Sequence, residues 1–235
     1  MVTIASNLQA VRARIERAAQ TAGRHADAIA LVAVSKTFPA ASIEQAHAAG
    51  QRAFGENYAQ EAVAKITELT YLSPFPTWHF IGPIQSNKTN LIAAHFQWVH
   101  GVERDKIAQR LNAARPEGLP PLDVCIQVNV SGEAAKSGVK PGAEVKLADA
   151  ISRLPRLRLR GLMAIPEPTS DTALQRRRFA LLRELKDRLA ARGHALDTLS
   201  MGMSDDLEAA IAEGATMVRV GTAIFGARRT EKTAA

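Results

Sequence analysis

Short apolar runs rich in β-branched residues recur along this chain, and helical patterns separate them. This alternation predicts parallel strands joined by crossover helices. Eight runs favour a closed barrel over an open sheet, and 235 residues is a typical length for one α/β barrel. We therefore predict a single-domain (β/α)8 TIM-type barrel over residues 1–235, with a short flexible tail at 226–235. The runs are Ala30–Ser35, Arg52–Gly55, Thr77–Gly82, Gln97–Val102, Leu122–Val130, Leu157–Ile165, Thr198–Gly202 and Thr216–Phe225.

Two helices can be placed with their ends. Leucines recur on one helical face over Asp171–Ala191, where Asp171 can cap the start and Gly193 can stop the helix. Apolar residues at helical spacing between Ile4 and Ala19 predict a first helix before the first strand. The proline-rich loops do not separate compositionally different halves, so no linker is predicted.

The net charge of +7 raises the alternative of a nucleic-acid-binding module. The arginines argue against it, because they alternate with apolar residues or share a helix with acidic ones, and aromatic residues are not interleaved with them. A solvated basic surface is favoured instead. These arginines are Arg153, Arg156, Arg158, Arg160, Arg176, Arg177, Arg178, Arg183 and Arg188.

Composition also bears on the compartment and on metal binding. No apolar run approaches the roughly 18 residues of a membrane span, so we expect a soluble protein. The single cysteine, Cys125, lies in an apolar run and is expected to be a buried thiol rather than a nucleophile. Without a disulfide framework, the chain fits the reducing cytoplasm. The six histidines show no short ligand spacing, so we predict no metal site.

Lys36 directly follows the first predicted strand. Functional groups of such barrels gather where strands end, and an amine at the mouth of an apolar barrel is driven toward its neutral, nucleophilic form. That form is what Schiff-base formation with an aldehyde requires. The alternative is a lysine that simply ends a strand in water.

Two later segments contain groups that suit a phosphate. Ser204 follows the seventh predicted strand, and we expect it to cap a helix over Asp205–Glu213. Gly221 and Thr222 lie near the end of the eighth, where a glycine allows close approach and a hydroxyl can donate. Barrels often bind phosphate with the loops after strands seven and eight. The alternative for Ser204 is a plain helix cap.

Three further strand residues are candidates for the same site. Arg219 lies two residues before Gly221 and therefore on the same face of an extended strand. Its alternative is a surface ion pair with an acidic neighbour such as Glu213. Asn57 and His79 lie near the ends of the second and third strands and could contact a ligand, although such a histidine is more often structural.

Several of these segments together resemble the pyridoxal phosphate homeostasis proteins, whose barrel is related to the cofactor-binding domain of alanine racemase. The resemblance runs along nearly the whole chain, and the motifs keep the family's order. They stand here as Val32–Thr37, Phe54–Tyr58, Trp78–Gly82, Gln85–Lys88, Gly161–Met163, Ser200–Asp205 and Val218–Gly226.

The resemblance implies pyridoxal phosphate as the cofactor, held as a Schiff base on Lys36, with Arg219 facing the pyridine nitrogen. It places Lys136 in a family-like segment near the barrel mouth, where we do not expect a catalytic role. The residues that it assigns to the phosphate or to the rest of the cofactor pocket are Asn57, His79, Ser204, Gly221 and Thr222.

An arginine at the pyridine nitrogen leaves that nitrogen unprotonated and weakens the ring as an electron sink. With the resemblance, this favours a cytoplasmic carrier that binds the cofactor reversibly, with apo pyridoxal-phosphate enzymes as candidate partners. The alternative is a pyridoxal-phosphate-dependent amino-acid racemase. Racemases of the related barrel need a second acid or base on the opposite ring face, and no residue of this chain is a convincing candidate. We expect a monomer that binds neither nucleic acid nor membrane.

Overall fold

The chain folds around a closed barrel of parallel strands. The structure is a computed structural model that describes residues 3–133 and 137–227. Within these residues, each strand pairs in parallel with the next along the chain, and the first pairs with the last through Val32 opposite Arg219. The predicted (β/α)8 architecture is confirmed. The strands are β1 (Ala30–Val34), β2 (Ala53–Glu56), β3 (Thr77–Phe80), β4 (Trp98–Val102), β5 (Leu122–Gln127), β6 (Leu157–Met163), β7 (Thr198–Ser200) and β8 (Met217–Val220).

A helix follows every strand, and one more precedes the first. That first helix buries the stripe Leu8, Val11, Ile15 and Ala19, as its spacing predicts, and packs against the two helices nearest the end of the described chain. The helices are α1 (Ile4–Thr21), α2 (Ala40–Ala48), α3 (Ala59–Glu68), α4 (Thr89–His95), α5 (Asp105–Ala114), α6 (Glu144–Ile151), α7 (Thr172–Ala191), α8 (Leu207–Ala212) and α9 (Thr222–Phe225).

The predicted boundaries are right in one helix and wrong at two others. The side chain of Asp171 accepts the Leu174 N–H at 3.0 Å and caps α7, as expected. The cap assigned to Ser204 is wrong, because α8 begins two residues later than predicted and Asp206 is its N-cap. The eighth run does not continue as a strand to Phe225, since its last four residues form α9.

Two layers of side chains fill the molecule. Between the sheet and the helices lies an apolar core that includes Phe54, Trp78 and Phe179. The inside of the barrel is partly polar. A hydrogen bond joins His100 of β4 to Ser200 of β7, which are not neighbouring strands, so this bond crosses the barrel interior.

The arginines of the basic surface are largely paired. Asp123 accepts hydrogen bonds from Arg158 and Arg160, and Glu213 pairs with Arg176 and Arg183. These arginines are therefore neutralised locally, although the net charge of the chain stays +7. Two predicted features, Lys136 and residues 228–235 of the expected tail, lie outside the described residues.

Candidate functional site

A cavity of about 440 Å³ opens where β1, β7 and β8 end. This volume is within the range of roughly 300–1,000 Å³ that is usual for small-molecule sites. Five of the seven predicted site residues line it, although they come from opposite ends of the sequence. The lining residues are Arg14, Val34, Lys36, Phe38, Met203, Ser204, Asp205, Arg219, Gly221, Thr222 and Ala223.

Lys36 supplies an amine to this cavity. It lies two residues beyond the end of β1 and is half-buried. Because side chains alternate along a strand, Val34 and Lys36 share a face, and both line the cavity. The next residue, Thr37, has a φ of 66°, in the left-handed region that few non-glycine residues adopt. The chain therefore turns sharply just after the lysine.

Ser204, Gly221 and Thr222 form one end of the cavity. A Cβ atom at Gly221 would lie 3.2 Å from the carbonyl oxygen and 3.3 Å from the Cβ of Val34, so glycine lets β8 approach β1 closely here. Thr222 and Ala223 begin α9, where backbone N–H groups have no partner within the helix. Hydroxyls and backbone N–H groups together can donate to an oxyanion.

Arg14 also reaches this end of the cavity, and the sequence did not single it out. Its Nη2 donates to the carbonyl oxygen of Ser204 at 2.9 Å, and its Nε pairs with Glu208 at 2.9 Å. Its partners lie about 190 residues further along the chain, so no local pattern could have revealed this contact.

Arg219 is 3% exposed and faces the cavity from β8. Its guanidinium donates to Ser200 Oγ at 2.6 Å and to the Ala164 carbonyl at 2.9 Å. Burial lowers the pKa of Arg219 to about 10, so the side chain stays cationic at neutral pH. The alternative ion pair with Glu213 is wrong, because that carboxylate is taken by two arginines of α7. No ion pair found among residues 3–133 and 137–227 includes Arg219.

His79 lies below the cavity instead of lining it. Its Nδ1 is 3.0 Å from His100 Nε2, and His100 Nδ1 is 2.7 Å from Ser200 Oγ. Since Arg219 can only donate to Ser200, the serine proton goes to His100, and His100 in turn donates to His79. Burial lowers the pKa of His79 to about 3 and that of His100 well below its usual value. Both rings are therefore neutral and couple His79 to Arg219.

Asn57 also lies outside the residues that line the cavity. It is half-buried at the end of β2, and its Oδ1 is buried without a hydrogen-bond partner among the described residues. Its backbone is packed against Gly82, where an added Cβ would lie 2.4 Å from the Asn57 carbonyl oxygen. An orphaned buried acceptor of this kind is costly unless a further donor approaches it.

Other chemistries find little support in the described part of the chain. Cys125 is fully buried as expected, and burial raises the pKa of its thiol to about 12. Among the described residues there is no group of three His, Cys, Asp or Glu side chains that could hold a metal ion. None of the helices in these ranges is long and apolar enough to cross a membrane.

Comparison with known proteins agrees with this geometry. The family model for the N-terminal domain of alanine racemase matches residues 6–229. The pyridoxal phosphate homeostasis protein of Pseudomonas aeruginosa is 65% identical over 228 residues, which cover 97% of both chains. Its counterpart in Escherichia coli K12 is 54% identical over 232 residues, covering 97% of this chain and 98% of the relative. This chain therefore belongs to the pyridoxal phosphate homeostasis protein family.

Two solved structures superpose on this chain, one of a close relative and one of a distant protein. PipY of Synechococcus elongatus, solved with pyridoxal phosphate bound, superposes with a TM-score of 0.83 at 38% identity over 95% of this chain and 100% of that one. Alanine racemase of Corynebacterium glutamicum superposes with a TM-score of 0.67 at 16% identity over 94% of this chain and 61% of that one. The second likeness shows a shared barrel fold.

Proposed function

We propose that this protein binds pyridoxal phosphate as a Schiff base on Lys36 and serves in the homeostasis of that cofactor. The observation that carries the proposal is the convergence of an amine, a cradle of donors and a buried arginine on one cavity of about 440 Å³. Its pyridoxal-phosphate-bound relative PipY covers nearly the whole chain, which supports the same ligand.

The residues fit the groups of this cofactor. The Lys36 amine adds to the aldehyde carbon, and the C=N bond forms as the carbonyl oxygen leaves as water. Ser204, Gly221 and Thr222 present hydroxyl and backbone N–H donors to the phosphate, and Arg14 adds positive charge at that end. Asn57 does not line the cavity, but its buried Oδ1 has no hydrogen-bond partner among the described residues and would accept from a ligand donor that reached it.

Arg219 determines how the cofactor would behave. Bound pyridoxal phosphate supplies an electron sink, whose strength depends on protonation of the pyridine nitrogen. Arg219 stays cationic and can donate to that nitrogen, so the nitrogen remains unprotonated. A weak electron sink suits storage and delivery of the cofactor better than demanding carbanion chemistry.

We propose that the protein is a binding protein rather than a dedicated enzyme. The rival is an amino-acid racemase, which needs a second acid or base across the ring from the lysine. Among the described residues that line the cavity, Asp205 is the one carboxylate, and it is exposed. His79 and His100 are buried beneath the site and held neutral. We propose apo pyridoxal-phosphate enzymes as partners of a monomer in the cytoplasm.

The test is to load the purified protein with pyridoxal phosphate, record the visible absorbance, reduce with borohydride and map the modified peptide. We expect the modification on Lys36 and its loss in Lys36→Ala. The matched control is Lys146→Ala, which removes an exposed lysine of α6. An adduct on another residue, or none, would sink the proposal. Rapid racemisation of alanine that disappears in Lys36→Ala would favour the enzyme.

A further inference from the structure

A buried charged cluster lies behind the Lys36 segment, outside the cavity. Its centre is Lys65 of α3, which is 7% exposed. The Lys65 Nζ donates to Glu56 Oε1 at 2.9 Å, to Glu61 Oε1 at 2.6 Å and to the carbonyl oxygen of Ser35 at 2.9 Å. An ammonium has three N–H donors, and these three acceptors use them all.

The cluster holds both chain neighbours of Lys36. On one side, the Ser35 hydroxyl donates to Glu56 Oε1 at 2.7 Å, and the Ser35 carbonyl accepts from Lys65. On the other side, the Thr37 N–H donates to Glu61 Oε1 at 2.7 Å. The same two carboxylates and one lysine therefore fix the backbone directly before and directly after Lys36.

The backbone of Thr37 has an unfavourable conformation, and a hydrogen bond to the cluster holds it. Its φ of 66° is uncommon for a threonine, and such backbone strain persists only where surrounding contacts enforce it. The hydrogen bond from the Thr37 N–H to Glu61 is such a contact. The turn that ends the Lys36 segment is thus maintained by a side chain of α3.

A gain in folding stability does not by itself account for this buried cluster. Glu56 is fully buried with one carboxylate oxygen unpartnered among the described residues, and burial raises its pKa despite the opposing Lys65 and Ser35. Buried ion pairs often gain less from attraction than they lose in desolvation. Two carboxylates and one ammonium in such a place are better explained by the segment that they position.

We propose that Lys65 and Glu61 are positioning residues that orient the Ser35–Thr37 segment so that the Lys36 amine meets the cofactor aldehyde. This inference rests on the proposed Schiff base at Lys36. Neither residue lines the cavity. Loss of either therefore impairs formation of the C=N bond more than binding of the phosphate end.

The experiment separates these two steps with two probes. Stopped-flow absorbance measures the rate of Schiff-base formation with pyridoxal phosphate. Pyridoxine phosphate, which has an alcohol in place of the aldehyde, measures non-covalent affinity. The variants are Lys65→Met and Glu61→Ala, which removes the acceptor of the Thr37 N–H, and the matched control is Glu68→Ala, which changes an exposed residue at the end of the same helix.

We expect both variants to form the Schiff base about tenfold more slowly, while their Kd for pyridoxine phosphate stays within about twofold of wild type. Glu68→Ala should match wild type in both. Adding Thr37→Gly to Glu61→Ala should recover part of the rate, because glycine adopts a positive φ without strain. If Lys65→Met does not fold, as judged by circular dichroism, Glu61→Ala decides, since the Glu61 side chain is about one-third exposed.

Rates of both variants within about twofold of wild type would overturn the inference, as would equal losses with both probes. A wild-type protein that forms no Schiff base at Lys36 would refute the proposed function itself. The two failures are therefore distinguishable.

Discussion

Acidification should lower the folding stability of this protein, because two histidines inside the barrel are held neutral in the folded state and gain protons on unfolding. Burial depresses the pKa of His79 to about 3, and that of His100 is also well below 6.5. In the unfolded chain both rings regain a pKa near 6.5. Between these values the unfolded state binds more protons, so stability is full above about pH 6.5 and is lost as the pH falls.

The magnitude follows from the pKa difference. For one histidine that titrates near 6.5 when unfolded and near 3 when folded, lowering the pH from 7 to 5 removes about 2 kcal/mol. His100 adds to this loss in the same direction, because burial also lowers its pKa, and the loss from His79 alone is a sizeable share of a typical stability of roughly 5–15 kcal/mol. Glu56 and Asp206 act in the opposite direction, because burial raises their pKa values.

Urea unfolding at pH 7, 6 and 5 measures this loss. The difference between wild type and His100→Gln isolates the histidine contribution from that of the carboxyl groups. We expect His100→Gln to be less stable at pH 7 but to lose less stability than wild type by pH 5. His25→Gln, which alters an exposed histidine, is the matched control and should keep the full wild-type dependence. Identical slopes for wild type and His100→Gln would refute the reasoning.

Two further predictions concern a close backbone contact after β3 and a cation of the site. Gly82→Ala should lower the free energy of unfolding, measured with urea, by about 1–3 kcal/mol, because the added Cβ would lie 2.4 Å from the Asn57 carbonyl oxygen. Gly118→Ala is the control and should leave the free energy of unfolding unchanged, because its Cβ would meet nothing within 4 Å. An unchanged free energy of unfolding in Gly82→Ala would contradict the close packing of Gly82 against Asn57. Arg14→Ala should weaken binding of pyridoxal phosphate on the order of tenfold by removing a cation from the phosphate end. Arg17→Ala removes an exposed charge from the same helix and should leave the affinity unchanged, and equal losses in both variants would point to net charge alone.

The barrel could be predicted from the sequence because its strands are buried on both faces and stand out as apolar runs. The predicted element boundaries are wrong where the apolar pattern does not mark the change from strand to helix. Val220 to Phe225 has one polar side chain, that of Thr222, so the change from β8 to α9 leaves too little periodicity to detect. At the start of α8, three polar residues in succession could each have served as the cap, and Asp206 takes that position although its carboxylate accepts from the Met203 N–H rather than from the helix.

The site could be predicted as far as strand order determines it. Lys36, Ser204 and Thr222 converge because the carboxyl ends of parallel strands meet at one rim of a barrel. Ser200 and His100 could not be found this way, since the hydrogen bond that joins them connects β7 and β4, which are not neighbouring strands. Lys65 did leave a signal.

That signal is a charged residue within an apolar helix face. Ala59, Ala62, Lys65 and Ile66 fall at helical spacing, and all four are buried in α3. A lysine on such a stripe must reach acceptors inside the fold, because a buried charge without partners is too costly. Charged residues on buried helix faces next to a reactive segment therefore merit the same attention as strand ends.

Lys36 and Lys65 both lie near the end of β1, but their environments suit them to different roles. Lys65 is enclosed by three acceptors and lies outside the cavity, so an aldehyde has no path to its Nζ. Lys36 lies in the cavity wall, on a segment whose two flanks those same acceptors fix. For the proposed Schiff base, the reacting lysine is therefore the one that lines the cavity, and we propose that the buried lysine positions it.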